Sequence, residues 1–245
     1  MLAPECIVVS SPGMERWLSM QLSRRLGVWA NPSFPFPRKL IQNLLDAVDP
    51  QGAERGAGYD PACLLFSIAR ELRSAASDPA FGEVARYLRK DAVNVRRRLA
   101  LAARLAELFD QYLTYRPDDV QKWIAGGGED FQAPLFRALV AQHGPGHLAA
   151  RAQQALAVLP RLASLPGFPD RIHLFGLSSA PPLYLQLLSA LATTHEAHLY
   201  LLSPSREYFA DQRPARARGG RRSSRERRQL SFAFEALGAL APEGE

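Results

Sequence analysis

The stretch CIVVSSPGMERWL, residues 6–18, joins a short apolar run to a helical pattern through a Ser/Pro/Gly turn. The apolar run Cys6 to Val9 predicts a buried β-strand. Ser11 is a good N-cap for the helix that follows, and Pro12 suits its first position. Gly27 is a typical residue for the end of that helix. The stretch therefore predicts a strand followed directly by a helix, which is how many nucleotide-binding α/β proteins begin.

The predicted helix has one apolar face and one polar end. An apolar stripe at helical spacing is expected to be buried, and it consists of Met14, Trp17, Leu18, Leu22 and Leu26. Ser10, the amides of the turn and Arg16 would remain exposed at the N-terminal end. Such a combination can hold a phosphodiester, although a capped helix with a solvated arginine explains the same pattern.

A P-loop is excluded by the residues of the turn. That motif needs a second glycine followed by lysine and a hydroxyl residue, because the lysine reaches the terminal phosphate and the hydroxyl reaches magnesium. The chain has only Lys39, Lys90 and Lys122, and none of them follows a Gly-rich turn after a strand. We therefore expect no ATP binding by this segment.

The rest of the chain predicts a helical region inserted between strands. Strands are expected at 172–175 and 198–202, with a helix at 183–191 between them, which makes a parallel β-α-β unit. Helical patterns fill the middle of the chain at 40–48, 62–76, 95–113, 134–142 and 148–162. The fold class is thus α/β with a large helical subdomain. The expected divisions are an α/β domain of residues 1–36 and 166–210, a helical subdomain of residues 37–165, and a tail of residues 211–245.

Charge and cysteine content narrow the function classes. Residues 211–228 contain eight arginines and two carboxylates, and their net charge of +6 equals that of the whole chain. The tract is typical of a disordered linker and is also able to neutralise phosphates. Cys6 and Cys63 have no metal-ligand spacing, so both are predicted to be reduced core thiols. With no long apolar run and no signal-peptide pattern, the chain is expected to be cytoplasmic and without a membrane partner.

Catalytic patterns are weak. The segment Arg116 to Lys122 contains acids and a lysine, as nuclease sites do, but they crowd into seven residues instead of coming from separate strands. Two histidine pairs, 143 with 147 and 195 with 198, lack the one-face spacing of a zinc helix. We therefore predict no catalytic site and no metal site in this chain.

Four blocks in order resemble the RecC family, the gamma chain of exodeoxyribonuclease V. The first block is IVVSSPGMERWLSMQLSRRLGVWANPSFPFP, residues 7–37, and the second is LFDQYLTYRPD, residues 108–118. The third is QAPLFRALV, residues 132–140, and the fourth is RIHLFGLSSAPPLYLQLLSAL, residues 171–191. Together they extend over about residues 5–210.

The resemblance implies a superfamily 1 helicase-like motor domain that has lost its ATPase residues. It implies a non-catalytic DNA-binding and scaffold subunit of the RecBCD helicase-nuclease, acting in double-strand break repair and in Chi recognition on the emerging strand. The implied partners are a RecB-like helicase-nuclease beta chain, a RecD-like helicase alpha chain, and single- and double-stranded DNA ends. ATP and magnesium would be used by those subunits, with no cofactor in this chain.

The resemblance also implies a set of DNA-contacting residues. They are Ser10, Pro12, Arg16, Phe36, Gln42, Leu108, Asp110, Gln111 and Arg116. Amide and carboxylate side chains bond base edges, arginines bond phosphates or guanine, and phenylalanine stacks on bases. The family has Thr, Gln and Trp where this chain has Pro12, Arg16 and Gln42, so the base sequence that is read stays open.

The family continues far beyond this length, and the sequence is expected to be a fragment with an Arg-rich, disordered tail. An alternative function is a helical adaptor that contacts only proteins. Binding of single-stranded DNA with a steep salt dependence separates the two functions, because phosphate neutralisation releases counterions.

Overall fold

The computed structural model describes residues 5–75, 81–89, 95–128, 130–162 and 164–202. The strands are β1 (Glu5–Val8), β2 (Pro32–Ser33), β3 (Arg171–Phe175) and β4 (Glu196–Tyr200). The helices are α1 (Pro12–Leu26), α2 (Pro37–Val48), α3 (Gly52–Gly56), α4 (Pro61–Ala75), α5 (Gly82–Arg89), α6 (Val95–Tyr115), α7 (Pro117–Ile124), α8 (Gln132–His143), α9 (Leu148–Val158) and α10 (Pro182–Leu191). The predicted tail, residues 211–245, lies outside the described residues.

All four strands form one parallel sheet with the order β2-β1-β3-β4. Cys6 is paired with Ile172, and His173 is paired with His198. The predicted parallel β-α-β unit, β3-α10-β4, is therefore confirmed. Strand β1 is an inner strand of this sheet, and its neighbour β3 comes from a distant part of the chain.

Chain contacts divide the protein into two compact units. The first comprises residues 1–48 and 156–245, and the second comprises residues 49–155, so that the boundary falls within α9. The first unit contains the sheet together with α1, α2 and α10. The second unit is helical.

The core of the first unit comes from the sheet and from two helices. Val8, Val9 and Ile172 are completely buried in β1, the residue after it, and β3. Helix α2 buries one stripe, Leu40, Ile41, Leu44 and Leu45, and α10 buries Leu183, Tyr184, Leu187, Leu188 and Leu191. Each such aliphatic side chain contributes about 1.5–3 kcal/mol on burial.

Helix α1 differs from its predicted packing. None of its residues is fully buried, and Trp17 and Leu26 are 49% and 61% exposed. The predicted buried stripe is therefore wrong for these two residues, while Met14, Leu18 and Leu22 are half-buried. The cap is as expected, because the backbone N–H of Met14 donates to Ser11 Oγ over 3.2 Å. The pattern predicted the helix correctly. Burial of its apolar stripe also needs another element that packs on it, and few of the described residues do so.

The second unit is built around aromatic side chains. Phe109 of α6 and Phe136 of α8 are fully buried, with ring centroids 5.2 Å apart in an edge-to-face arrangement. Trp123 of α7 lies at the edge of Phe109, 6.2 Å between centroids. Helices α4 and α6 pack along each other, and Leu64, Ile68 and Leu72 of α4 join the same core.

Two further comparisons with the sequence concern the cysteines and the membrane. Cys6 is buried as predicted, but Cys63 is exposed because it lies on the outer face of α4. The prediction of two core thiols is thus wrong for Cys63. In the ranges that the structure describes, no helix combines the length and the apolar character that crossing a bilayer requires.

Candidate nucleic-acid interface

The first unit presents a polar turn at the carboxyl edge of its sheet. Because β1 and β2 are parallel, the residues after both strands lie at this edge. The backbone N–H of Val9 donates to the carbonyl of Pro35 over 3.4 Å, which holds the two segments together. Ser10 and Phe36, the residues next to this bond, are both exposed. The structure therefore places the turn after β1 and Phe36 next to each other at the carboxyl edge of the sheet.

The other predicted residues of the first unit flank this edge. Pro12 and Arg16 are exposed in the first turns of α1. Gln42 lies in α2 and is half-buried, one turn beyond the exposed Lys39. The edge thus carries cations and an aromatic ring, which are groups that bind a nucleic-acid backbone and its bases.

Sequence reasoning missed an aromatic and charged face of the sheet. Trp17 stacks on Phe175, with centroids 6.2 Å apart, and Phe175 lies 6.0 Å from Tyr200. On the same face the rings of His173 and His198 stack at 5.0 Å. His173 and Phe175 alternate with buried residues along β3, so the period of two was the available signal for these two positions.

One ion pair and one hydrogen bond, both to Glu196, hold the far end of this face. Arg171 Nε lies 2.9 Å from Glu196 Oε2, and His198 Nε2 lies 2.7 Å from Glu196 Oε1. The hydrogen bond from Arg171, followed by that from His198, lowers the pKa of the Glu196 carboxyl. The same pairing with Glu196 raises the pKa of Arg171. Both groups are solvent-exposed, so this pair organises the surface more than it stabilises the fold.

The second unit carries the predicted residues of the second block on α6 and at its end. Gln111 and Arg116 are exposed, whereas Asp110 is half-buried. Leu108 is half-buried against the helical core, which gives it a packing role. Arg116 precedes α7, and its guanidinium lies over the ring of Tyr112 at 5.5 Å from the centroid. Asp110, Gln111 and Arg116 thus lie in the last two turns of α6 and at the residue that follows it.

A cavity of about 250 Å³ opens beside Arg116. Its lining residues are Tyr112, Arg116, Asp119, Lys122, Trp123, Gly128, Asp130 and Gln132. Sequence reasoning named only Arg116 of this group for DNA contact. Tyr112 lies inside the quoted second block, four residues before Arg116, and this helical spacing was the signal for their contact.

Two histidines of the second unit have a lowered pKa. His147 is 1% exposed, and burial lowers the pKa of its imidazole to about 4. His143 shares a hydrogen bond of 2.9 Å with Ser67 Oγ, and burial, aided by Arg70, lowers its pKa. Among the described residues, no cluster of three or more histidine, cysteine or acidic side chains could hold a metal ion.

The fold defines the class of the protein, which is a helix-rich protein with a small parallel sheet. The family model described as "RecC, N-terminal domain" matches residues 1–239. The chain therefore belongs to the RecC N-terminal domain family, and the resemblance carried by the four sequence blocks is confirmed.

Curated relatives share this family. The chain is 35% identical over 221 residues to the "RecBCD enzyme subunit RecC" of Escherichia coli (strain K12), which covers 85% of this chain and 20% of that protein. It is 28% identical over 238 residues to the protein of the same name from Haemophilus influenzae, covering 84% and 21%. For Mycolicibacterium smegmatis the identity is 32% over 213 residues, covering 83% and 19%. The chain thus spans about one fifth of the length of the relatives it matches.

Proposed function

We propose that this chain is a non-catalytic, DNA-binding and scaffold segment of a RecBCD-type helicase-nuclease. It acts in double-strand break repair by homologous recombination, in the cytoplasm, and reads the emerging single strand for a Chi-type sequence. Its partners are a RecB-like and a RecD-like chain, which supply ATP- and magnesium-dependent chemistry. The α/β unit is a helicase-like motor domain without ATPase residues.

The observation that carries this proposal is the exposure of Gln111 and Arg116 at the junction of α6 and α7. Both side chains come from the block that resembles the family most closely, and both are suited to base edges. In the first unit, Ser10, Arg16 and Phe36 offer a second group of donors, cations and an aromatic ring.

Salt dependence of single-strand binding tests the proposal. Each phosphate that an arginine neutralises adds about 0.7 to the slope of log affinity against log salt for a single strand. Arg16→Ala and Arg116→Ala are each expected to weaken binding of an oligo-dT and to reduce this slope by up to about that amount. Arg104→Ala is the matched control, because Arg104 is 84% exposed on α6 and pairs with Glu107 at 3.5 Å.

The response to a hotspot tests the finer part of the proposal. In the complete complex, Gln111→Ala and Arg116→Ala should impair this response while assembly persists, because each lost base contact costs about 1–3 kcal/mol of discrimination. An unchanged response in both variants would contradict the assignment of these residues.

A protein-only adaptor is the second candidate, and exposed apolar side chains favour it. Phe66 is 71% exposed on α4, and Val28 is 81% exposed after α1. Such residues are suited to protein contacts. A chain that assembles with its partners but shows no salt-dependent affinity for single-stranded DNA would establish the adaptor and refute the DNA-binding function.

A further inference from the structure

We propose that an arginine-rich surface formed by α5 and the start of α6 binds the phosphate backbone of duplex DNA without reading its bases. The inference deepens the DNA-binding function proposed above and rests on it. The surface consists of Arg86 and Tyr87 from α5 together with Arg96, Arg97 and Arg98 from α6, and is called the arginine surface below.

The arginine surface lies far from the residues assigned to single-strand contact. Arg97 is in the first turn of α6, whereas Arg116 follows the last residue of that helix. Because an α-helix rises about 1.5 Å per residue, these two positions are about 28 Å apart along the helix axis. A ligand on the arginine surface would therefore not occupy the junction of α6 and α7.

The sequence concentrates positive charge at this surface. Residues 82–98 contain six basic side chains and two carboxylates, which is a net charge of +4. The other positions between residues 1 and 202 contain 15 basic and 16 acidic side chains, so they have a net charge of −1. The excess of positive charge is therefore local, as in surfaces that attract polyanions.

The arginine side chains are accessible and one of them is held in place. Arg86, Arg96 and Arg97 are exposed, and Arg98 is half-buried. Tyr87 is also exposed, and the guanidinium of Arg97 lies over its ring at 5.8 Å from the centroid. This cation–π contact joins the two helices and limits the directions that Arg97 can take. A cation that is already fixed loses less conformational entropy when it binds a phosphate.

The stability of α6 does not explain these arginines. The N-terminal end of a helix carries a partial positive charge, so cations in the first turn are unfavourable there. Helix α6 nevertheless begins with Val95, Arg96, Arg97 and Arg98, whereas α1 has Glu15 in its first turn. Residues that oppose the preference of their own element are expected at functional sites. An anionic ligand would offset the cost of this arrangement.

The composition of the surface favours a duplex over a single strand. Surfaces that bind single strands combine cations with several aromatic rings on which bases stack. Tyr87 supplies the one ring of the arginine surface, and Arg97 already lies over it. Duplex DNA carries one negative charge per about 1.7 Å of its axis, so an exposed group of arginines can neutralise several of its phosphates. Contacts of this kind do not depend on the base sequence.

The test measures binding of the full chain to a labelled duplex and to oligo-dT between about 50 and 200 mM salt. Each phosphate that the protein neutralises adds about 0.9 to the slope of log affinity against log salt for a duplex. Arg96→Gln combined with Arg97→Gln should reduce this slope by up to about 1.8. Between the two salt concentrations, the duplex affinity of the variant should therefore fall about tenfold less than that of the wild type. Its affinity for oligo-dT should change much less.

Two matched variants separate local contact from net charge. Arg24→Gln with Arg25→Gln removes an adjacent, exposed pair of arginines from the last turn of α1, so it changes the net charge equally and should keep the duplex slope. Arg96→Lys with Arg97→Lys keeps both charges and should also keep the slope. Far-UV circular dichroism and urea unfolding verify that each variant is folded. Equal losses of slope in the two glutamine variants would overturn the inference.

The remaining outcomes separate the arginine surface from the proposed function. If oligo-dT binds with a salt dependence but the duplex does not bind, or binds equally well to the glutamine variant of α6, the arginine surface is refuted and the DNA-binding function remains. A variant that binds the duplex normally but no longer assembles with its partner chains assigns the surface to protein contact and refutes the inference too. Binding of neither nucleic acid refutes both proposals.

Discussion

The buried imidazole of His147 should make the helical unit sensitive to acid. Its Nδ1 accepts a hydrogen bond of 3.2 Å from the backbone N–H of Ala150, at the start of α9. The ring also meets Tyr59 and Phe136 edge to face, at centroid distances of 5.5 Å and 5.8 Å. An imidazolium could not accept the bond from Ala150, and burial lowers the pKa of His147 from 6.5 to about 4.

The sign of the effect follows from proton uptake on unfolding. Above pH 6.5 the imidazole is neutral in both states, so it causes no pH dependence. Between pH 6.5 and about 4 the unfolded chain binds a proton that the folded chain does not, so stability falls as pH falls. The loss reaches about 2 kcal/mol at pH 5 and about 3 kcal/mol below pH 4, since one pKa unit corresponds to about 1.4 kcal/mol.

Urea unfolding of the full chain at pH 7 and pH 5 measures this loss, with His147→Asn as the comparison. Asparagine retains an acceptor for the Ala150 N–H and does not titrate. The variant should be less stable at pH 7, because it loses the ring, but it should lose about 2 kcal/mol less than the wild type on going to pH 5. Equal losses in the two proteins would refute a neutral, buried His147.

Three further predictions concern the two cysteines, the glycine at position 128 and the aromatic core of the helical unit. Maleimide should label the exposed Cys63 in the folded chain and reach Cys6 only on unfolding, because Cys6 is buried and burial raises the pKa of its thiol to about 11. Mass spectrometry measures the labelling rate of each cysteine, and equal rates for the two would contradict this prediction. Gly128→Ala should lower the free energy of unfolding by about 2–4 kcal/mol, because the new Cβ atom adds both backbone strain and overpacking. Gly27 also has a positive φ, +76°, but no atom lies within 4 Å of an added Cβ. Gly27→Ala should therefore lower the free energy of unfolding only by the backbone strain, about 1–2 kcal/mol. Phe136→Ala should cost about 3–5 kcal/mol in denaturant unfolding, and a loss under 1 kcal/mol would exclude a close-packed site.

Strong periodicity predicted the long elements. The pattern at 95–113 became α6, Val95–Tyr115, and the apolar run at 172–175 became β3. Strand β2 has only two residues, Pro32 and Ser33, which is too short to show a period. Helix α7 begins at Pro117 with Asp118 and Asp119 in its first turn, which is a favourable start for a helix. These charges were considered only as a nuclease pattern, and this helix was not predicted from the sequence.

Burial and site geometry were less accessible from the sequence. The apolar stripe of α1 has helical spacing, yet Trp17 is half exposed. Helical spacing shows which residues share a face of the helix, but it does not show which element covers that face. Tyr112 and Trp123 have the apolar character of core residues, and only the fold shows that they also line a cavity. The exposure of Gln111 and Arg116 agrees with their predicted DNA contact, which stays a prediction.

The pairing of β1 with β3 sets the order of events during synthesis. Ile7 pairs with His173, so β1, whose earlier partner β2 has only two residues, must wait for β3 until the ribosome has made most of the described chain. Bringing such distant residues together costs loop-closure entropy, but the helical unit has its own core and can form while the strand waits. A prefolded insert shortens the loop that remains to be closed. Proteolysis of ribosome-arrested chains should accordingly find α4 and α6 protected before β1, because the helical insert folds first and the sheet is completed only when β3 reaches β1.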